Sequence, residues 1–138
     1  MGLAVRALAS GHLDKNQALA TTGPYAYTRN PLYLGSIILA AGFIVAARSW
    51  WVLLIAVVIL IAIYWPVIRS EEDYLHSRFP EYREYAARVP RFFPRLPPYT
   101  SSDGLFSWHL YWKHREYNAA LGTAAMIAIL VVKMIWQG

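Results

Sequence analysis

Two adjacent carboxylates, Glu71 and Glu72, close a long apolar run, and a polar cluster at residues 21–35, TTGPYAYTRNPLYLG, opens the apolar run before it. The cluster carries Tyr25, Tyr27 and Tyr33 together with Arg29, Asn30 and Pro31. Polar groups at the mouths of membrane-length helices are costly, so they usually mark a site. A carboxylate can pair with an ammonium or accept a proton, and tyrosine faces can stack on an aromatic ligand or attract a cation. The backbone around Gly23 and the helix start at Pro31 can meet an anion. Each stretch also has a plain reading. Tyrosines belong to the interfacial belt and Arg29 can snorkel, while carboxylates suit the positive end of a helix dipole. Together the two stretches are expected to face each other across a cofactor.

The elements that must position them follow from hydropathy. Residues 32–47 carry no charge, and Pro31 fits the first turn of a helix, where a missing N–H costs nothing. After Arg48-Ser49 comes WWVLLIAVVILIAIYWPVI, residues 50–68, with tryptophan or tyrosine at both ends as at a headgroup boundary. These two runs predict a transmembrane hairpin, and residues 119–136 predict a third span, with Lys133 snorkelling near its end. Ala120, Ala124 and Ala128 form a small-residue ridge on that span. A short interfacial helix is expected near the N-terminus, with Leu3, Arg6, Ala7 and Ser10 on one face, and another over LFSWHLYWKHREYN. Between them, Glu72, Leu75 and Phe79 share a helical face, as do Tyr82, Tyr85, Ala86 and Val89. Pro90, Pro94, Pro97 and Pro98 enforce an extended strap, and Ser101-Ser102-Asp103-Gly104 a turn. The predicted fold is all-α: one domain, residues 1–138, an integral membrane bundle of about three transmembrane helices with short cytoplasmic or interfacial helices.

Composition agrees with a membrane chain. Hydrophobic residues make up 57% and charged residues 15%, against about 25% charged in soluble domains. The net charge of +5 raises nucleic-acid binding, but no such motif is present, and the bases flank apolar runs. Eight of the thirteen lysines and arginines lie in residues 69–118 and three more lie before residue 31, so the hairpin puts both groups on one side, cytoplasmic by the positive-inside rule. With no cysteine, disulfides, cysteine-based zinc sites and thiol nucleophiles are excluded. His12, His76, His109 and His114 lack metal-ligand spacing, and no metal is expected. Neither GxGxxG, GxxxxGK[ST] nor GxSxG occurs, which excludes a Rossmann-type nucleotide site and a nucleophile elbow.

The order GxYxxxRNPxYxG, apolar hairpin, Glu71-Glu72, then YREYxxRVPRFFP resembles the membrane methyltransferase superfamily of isoprenylcysteine carboxyl methyltransferases and phosphatidylethanolamine methyltransferases, over about residues 10 to 97. The resemblance implies an S-adenosylmethionine site on the cytoplasmic face, built from segments at about 10–33 and 69–98. It assigns cofactor contacts to Gln17, Ala18, Leu19, Ala20, Tyr25, Arg29, Asn30, Pro31, Leu32, Tyr33 and Glu72. Asn30 stands where the family has histidine, which keeps hydrogen bonding and removes a titrating group. Arg69 lies three residues before Glu72, where the family's substrate-binding arginine lies four before.

Methyl transfer relies on alignment and exclusion of water. A carboxylate acceptor needs no base, and Arg69 would orient it; an amine acceptor must lose a proton, and Glu71 would take it. The implied partners are the bilayer and a lipid-like or prenylated substrate, with a homo-oligomer left open. Isoprenylcysteine-type carboxyl methylation comes first and phospholipid N-methylation second. Two further classes stay open: an NADPH-dependent sterol-type reductase, which normally carries a tryptophan in the Tyr82–Tyr85 motif and more helices, and a non-catalytic membrane protein. Relatives generally carry additional N-terminal membrane helices, of which MGLAVRALAS is at most a remnant.

Overall fold

The computed structural model describes residues 1–12, 19–99 and 106–138, and within these every regular element is helical. Helix α1 spans Gly2–His12, a 3-10 turn spans Gly23–Ala26, and α2 spans Pro31–Ala47. Then come α3 (Trp50–Ile59), a π-helical segment (Leu60–Tyr64) and α4 (Trp65–Arg78), followed by α5 (Tyr82–Arg88), α6 (Trp108–Lys113) and α7 (Tyr117–Gln137).

Among the described residues, two helices are long and apolar enough to cross a membrane: the continuous stretch Trp50–Arg78 and Tyr117–Gln137. Their 29 and 21 residues correspond to about 43 and 31 Å at ~1.5 Å per residue. Almost none of their residues are buried within the protein; Trp50, Ile61 and Ile135 are 84%, 64% and 68% exposed. Side chains of that kind, left bare over whole helices, suit contact with lipid. α2 is the shorter third apolar helix, at 17 residues. Arg48, in a left-handed conformation, ends α2, and Ser49 leads directly into α3.

The carboxylates do not sit at a helix start. The helix that begins at Trp50 runs on through them to Arg78, so Glu71 and Glu72 project from its polar continuation. Its π-helical segment lies just before Pro66, which cannot donate a backbone hydrogen bond and crowds the carbonyl four residues back; a wider turn relieves that crowding.

α1 packs along the start of α2 at very close range. A Cβ added at Gly35 would lie 2.8 Å from the Gly2 carbonyl oxygen and 2.7 Å from Arg6 Cγ. Glycine is therefore required at this crossing. Gly35→Leu is expected to push α1 off α2 and destabilise the fold by about 1–3 kcal/mol, the usual range for overpacking; thermal melting in detergent measures it, with Gly42→Leu, where a Cβ meets nothing within 4 Å, as the control.

The proline strap lies along the polar cluster. Arg29 N–H donates to the Pro90 carbonyl at 2.9 Å, Arg95 N–H to the Tyr27 carbonyl at 2.9 Å, and Tyr99 N–H to the Ala26 carbonyl at 2.8 Å. Phe79, Tyr82, Tyr85 and Val89 form the buried core beneath it, with Leu19, Leu75, Ala86 and Tyr99 packed against them. The expected turn at residues 101–104 lies outside the described residues.

Candidate active site

A cavity of about 330 Å³ opens where these elements meet, within the ~300–1,000 Å³ typical of small-molecule sites. α1 contributes Arg6, the 3-10 turn Tyr25, and the start of α2 Asn30, Leu32 and Tyr33. From α4 come Glu71, Glu72, Tyr74 and Leu75, from α5 Tyr82 and Tyr85, and from the junction of α6 with α7 His114 and Glu116. Leu19, Ala20 and Arg29 complete the wall.

Glu72 is the electrostatic centre. Arg91 donates to it twice, Nε to Oε1 and Nη2 to Oε2, each at 2.9 Å. Arg29 Nη1 lies 3.5 Å from the same Oε1 and 3.5 Å from the Tyr82 hydroxyl. The Glu72 hydrogen bonds hold the Arg91 guanidinium above its usual pKa range. A carboxylate has roughly four lone-pair positions, so Glu72 keeps capacity for one further donor. Among the described residues, Arg29 Nε is a buried side-chain donor without an acceptor.

Arg91 is aimed by its own backbone. Its carbonyl accepts from Thr28 Oγ1 at 2.8 Å, Asn30 N–H at 3.2 Å and Asn30 Nδ2 at 3.3 Å. The Asn30 amide is thus used to anchor the strap while the residue still lines the cavity.

Tyrosines form much of the remaining wall. Tyr85 donates to the Tyr25 carbonyl at 2.6 Å, and the Tyr33 hydroxyl bonds the Glu71 carboxylate. Burial pushes the phenols of Tyr25, Tyr85 and Tyr82 above their ordinary value, so all three stay protonated at neutral pH.

On the opposite wall Arg6 forks onto Glu116, with Nε to Oε2 at 3.1 Å and Nη2 to Oε1 at 2.6 Å. Its Nη1 donates to Ser36 Oγ and to the Leu32 carbonyl. This pair ties α1 and α2 to the first residue before α7, and the Glu116 side chain is only 8% exposed.

The residues expected from sequence divide as follows. Leu19, Ala20, Tyr25, Arg29, Asn30, Leu32, Tyr33, Glu71 and Glu72 converge on the cavity. Pro31 is buried at the start of α2 and does not line it. Gln17 and Ala18 lie outside the described residues. Arg69 does not line the cavity: it is exposed, and its guanidinium stacks over Trp65, 5.4 Å from the ring centroid. Sequence reasoning missed Arg91, Arg6, Glu116 and His114 as parts of the site. Among the described residues no group of three or more His, Asp or Glu is placed to share a metal ion.

The phospholipid methyltransferase family profile matches residues 3–82, more than half of the chain, and the chain belongs to that family. It is 37% identical over 106 residues to the cobalt-zinc-cadmium resistance protein CzcN of Cupriavidus metallidurans, covering 77% of this chain and 48% of that protein. It is 39% identical over 89 residues to the nickel-cobalt-cadmium resistance protein NccN of Alcaligenes xylosoxydans xylosoxydans, covering 64% and 42%. It is 34% identical over 85 residues to the protein-S-isoprenylcysteine O-methyltransferase of Schizosaccharomyces pombe, covering 61% and 36%. The chain therefore spans less than half the length of each of these relatives. No solved structure shows significant similarity to it.

Proposed function

We propose that this chain is the cofactor-binding part of a membrane methyltransferase that uses S-adenosylmethionine and acts on the head of a lipid-like molecule at the cytoplasmic face. The observation that carries the proposal is the convergence of Tyr25, Arg29, Asn30, Tyr33, Glu71 and Glu72 on one cavity at the polar end of apolar helices. Family membership supports the reaction class.

The residues present fit the cofactor. Glu72 keeps a position for an ammonium, the unpartnered Arg29 Nε can meet a carboxylate, and the faces of Tyr25 and Tyr82 suit an adenine or a sulfonium. When bound, S-adenosylmethionine supplies an electrophilic methyl group on a sulfonium. The protein's part is to hold donor and acceptor in line and keep water away.

Two acceptors divide on the position of charge. A carboxylate acceptor was expected to meet Arg69, which does not line the cavity. An amine arrives protonated at neutral pH, and Glu71, in the cavity and hydrogen-bonded to Tyr33, can take that proton. The amine reading is the better supported.

Isothermal titration with S-adenosylhomocysteine tests the shared claim: wild type should bind, and absence of binding overturns it. Glu71→Gln separates the acceptors. With an amine-headed lipid it is expected to lower kcat by roughly 10²–10⁴, the usual worth of general base catalysis, and with a carboxylate-headed lipid by less than about tenfold. Radiolabelled methyl transfer to the two lipids gives the comparison, and an equal loss on both would remove Glu71 as the base.

A further inference from the structure

A second cavity, of about 240 Å³, lies between α2, the long helix and Phe92 of the strap. Ile37, Val57, Leu60, Ile61, Ile68 and Phe92 make it apolar throughout. It shares no lining residue with the polar cavity. Tyr33 of the polar cavity and Tyr64 of the groove stand edge to face, 5.1 Å between ring centroids, as the partition between them.

At the polar end of the groove is Trp65, and two guanidiniums, those of Arg69 and Arg91, each stand 5.4 Å from its ring centroid. Arg91 is neutralised by Glu72, whereas Arg69 is exposed and makes no ion pair among the described residues. One uncompensated positive charge therefore sits beside an indole at the end of an apolar groove facing lipid. Tryptophan favours the headgroup level, and basic pockets beside membrane helices take acidic headgroups.

We propose that the groove is a binding site for an anionic phospholipid, separate from the methyl-transfer cavity. One hydrocarbon chain lies along Ile37, Leu60 and Ile61, and the phosphate meets Arg69 beside Trp65. This assigns a purpose to the arginine that the cavity leaves out. The π-helical segment supplies Leu60, Ile61 and Tyr64 to the groove, so the wide turn ahead of Pro66 shapes its floor.

Native mass spectrometry of the full chain, released from micelles carrying phosphatidylglycerol or phosphatidylcholine with the same acyl chains, tests the proposal. Wild type is expected to retain one phosphatidylglycerol at least fivefold better than phosphatidylcholine. Arg69→Gln should abolish that preference, and Ile61→Trp, which fills the groove, should reduce retention of both lipids. Equal retention of the two lipids by wild type, or an undiminished preference in Arg69→Gln, overturns the site. If Ile61→Trp fails to fold, Val57→Phe provides the same obstruction from α3. Titration of wild type with S-adenosylhomocysteine reports on the polar cavity independently, so the lipid site and the cofactor reading can fail separately.

Discussion

Glu72→Ala is expected to lose S-adenosylhomocysteine binding by at least tenfold and to destabilise the fold by about 2–3 kcal/mol. That magnitude lies between the 3–5 kcal/mol for breaking a buried ion pair and the ~1 kcal/mol of a surface pair. It is intermediate because the Glu72 side chain is 12% exposed and that of Arg91 36%. The substitution leaves the guanidiniums of Arg29 and Arg91 facing each other without a carboxylate, and Arg29 Nε already lacks an acceptor. Structural and ligand-binding losses separate in the double variant. Removing Arg91 as well takes away one orphaned charge, so Glu72→Ala/Arg91→Ala should regain part of the melting temperature in detergent. Binding should not return, because the ammonium's partner is still missing. Recovery of both would make Glu72 an anchor for the strap and nothing more.

The polar clusters were legible in the sequence because polar groups beside apolar runs are expensive and therefore conspicuous. Tyr25, Asn30, Tyr33, Glu71 and Glu72 stand in those clusters, the family resemblance singled out all but Glu71 as cofactor contacts, and all five line one cavity. The helices were legible for a related reason: uninterrupted apolar residues leave no other solution in a bilayer. What escaped was the pairing of distant charges. Arg91 sits in a proline-rich strap that reads as extended, but nothing local says that its carbonyl will gather three donors from Thr28 and Asn30. Arg6 was placed on one face of an expected interfacial helix, and its partner lies 110 residues away. A charge in the middle of GLAVRALASGH was the available signal, since such a side chain demands a partner. Pro66 inside the apolar run likewise signalled a local departure from α-helix, though not its π form.

The Arg6–Glu116 pair gives the second large expected effect, and a different kind of test. Glu116 is 8% exposed and Arg6 21%, and the two are joined by a bidentate fork. Glu116→Ala is expected to cost about 3 kcal/mol, since the guanidinium keeps only Ser36 Oγ and the Leu32 carbonyl as partners. A double-mutant cycle with Arg6→Ala should return a coupling of about 1–3 kcal/mol, read from melting in detergent; a value near zero would mean that the fork does not hold the α7 junction to α1. Replacing both residues with apolar ones of similar size, Arg6→Met with Glu116→Leu, should be near neutral in stability, as it is for many buried pairs. That variant keeps the packing and removes the polar wall opposite Glu71 and Glu72. If the wall only closes the cavity, methyl transfer survives with stability. If its charge orients the acceptor's head, the apolar pair folds well and turns over at least tenfold more slowly, and the pair then belongs to the chemistry as well as to the fold.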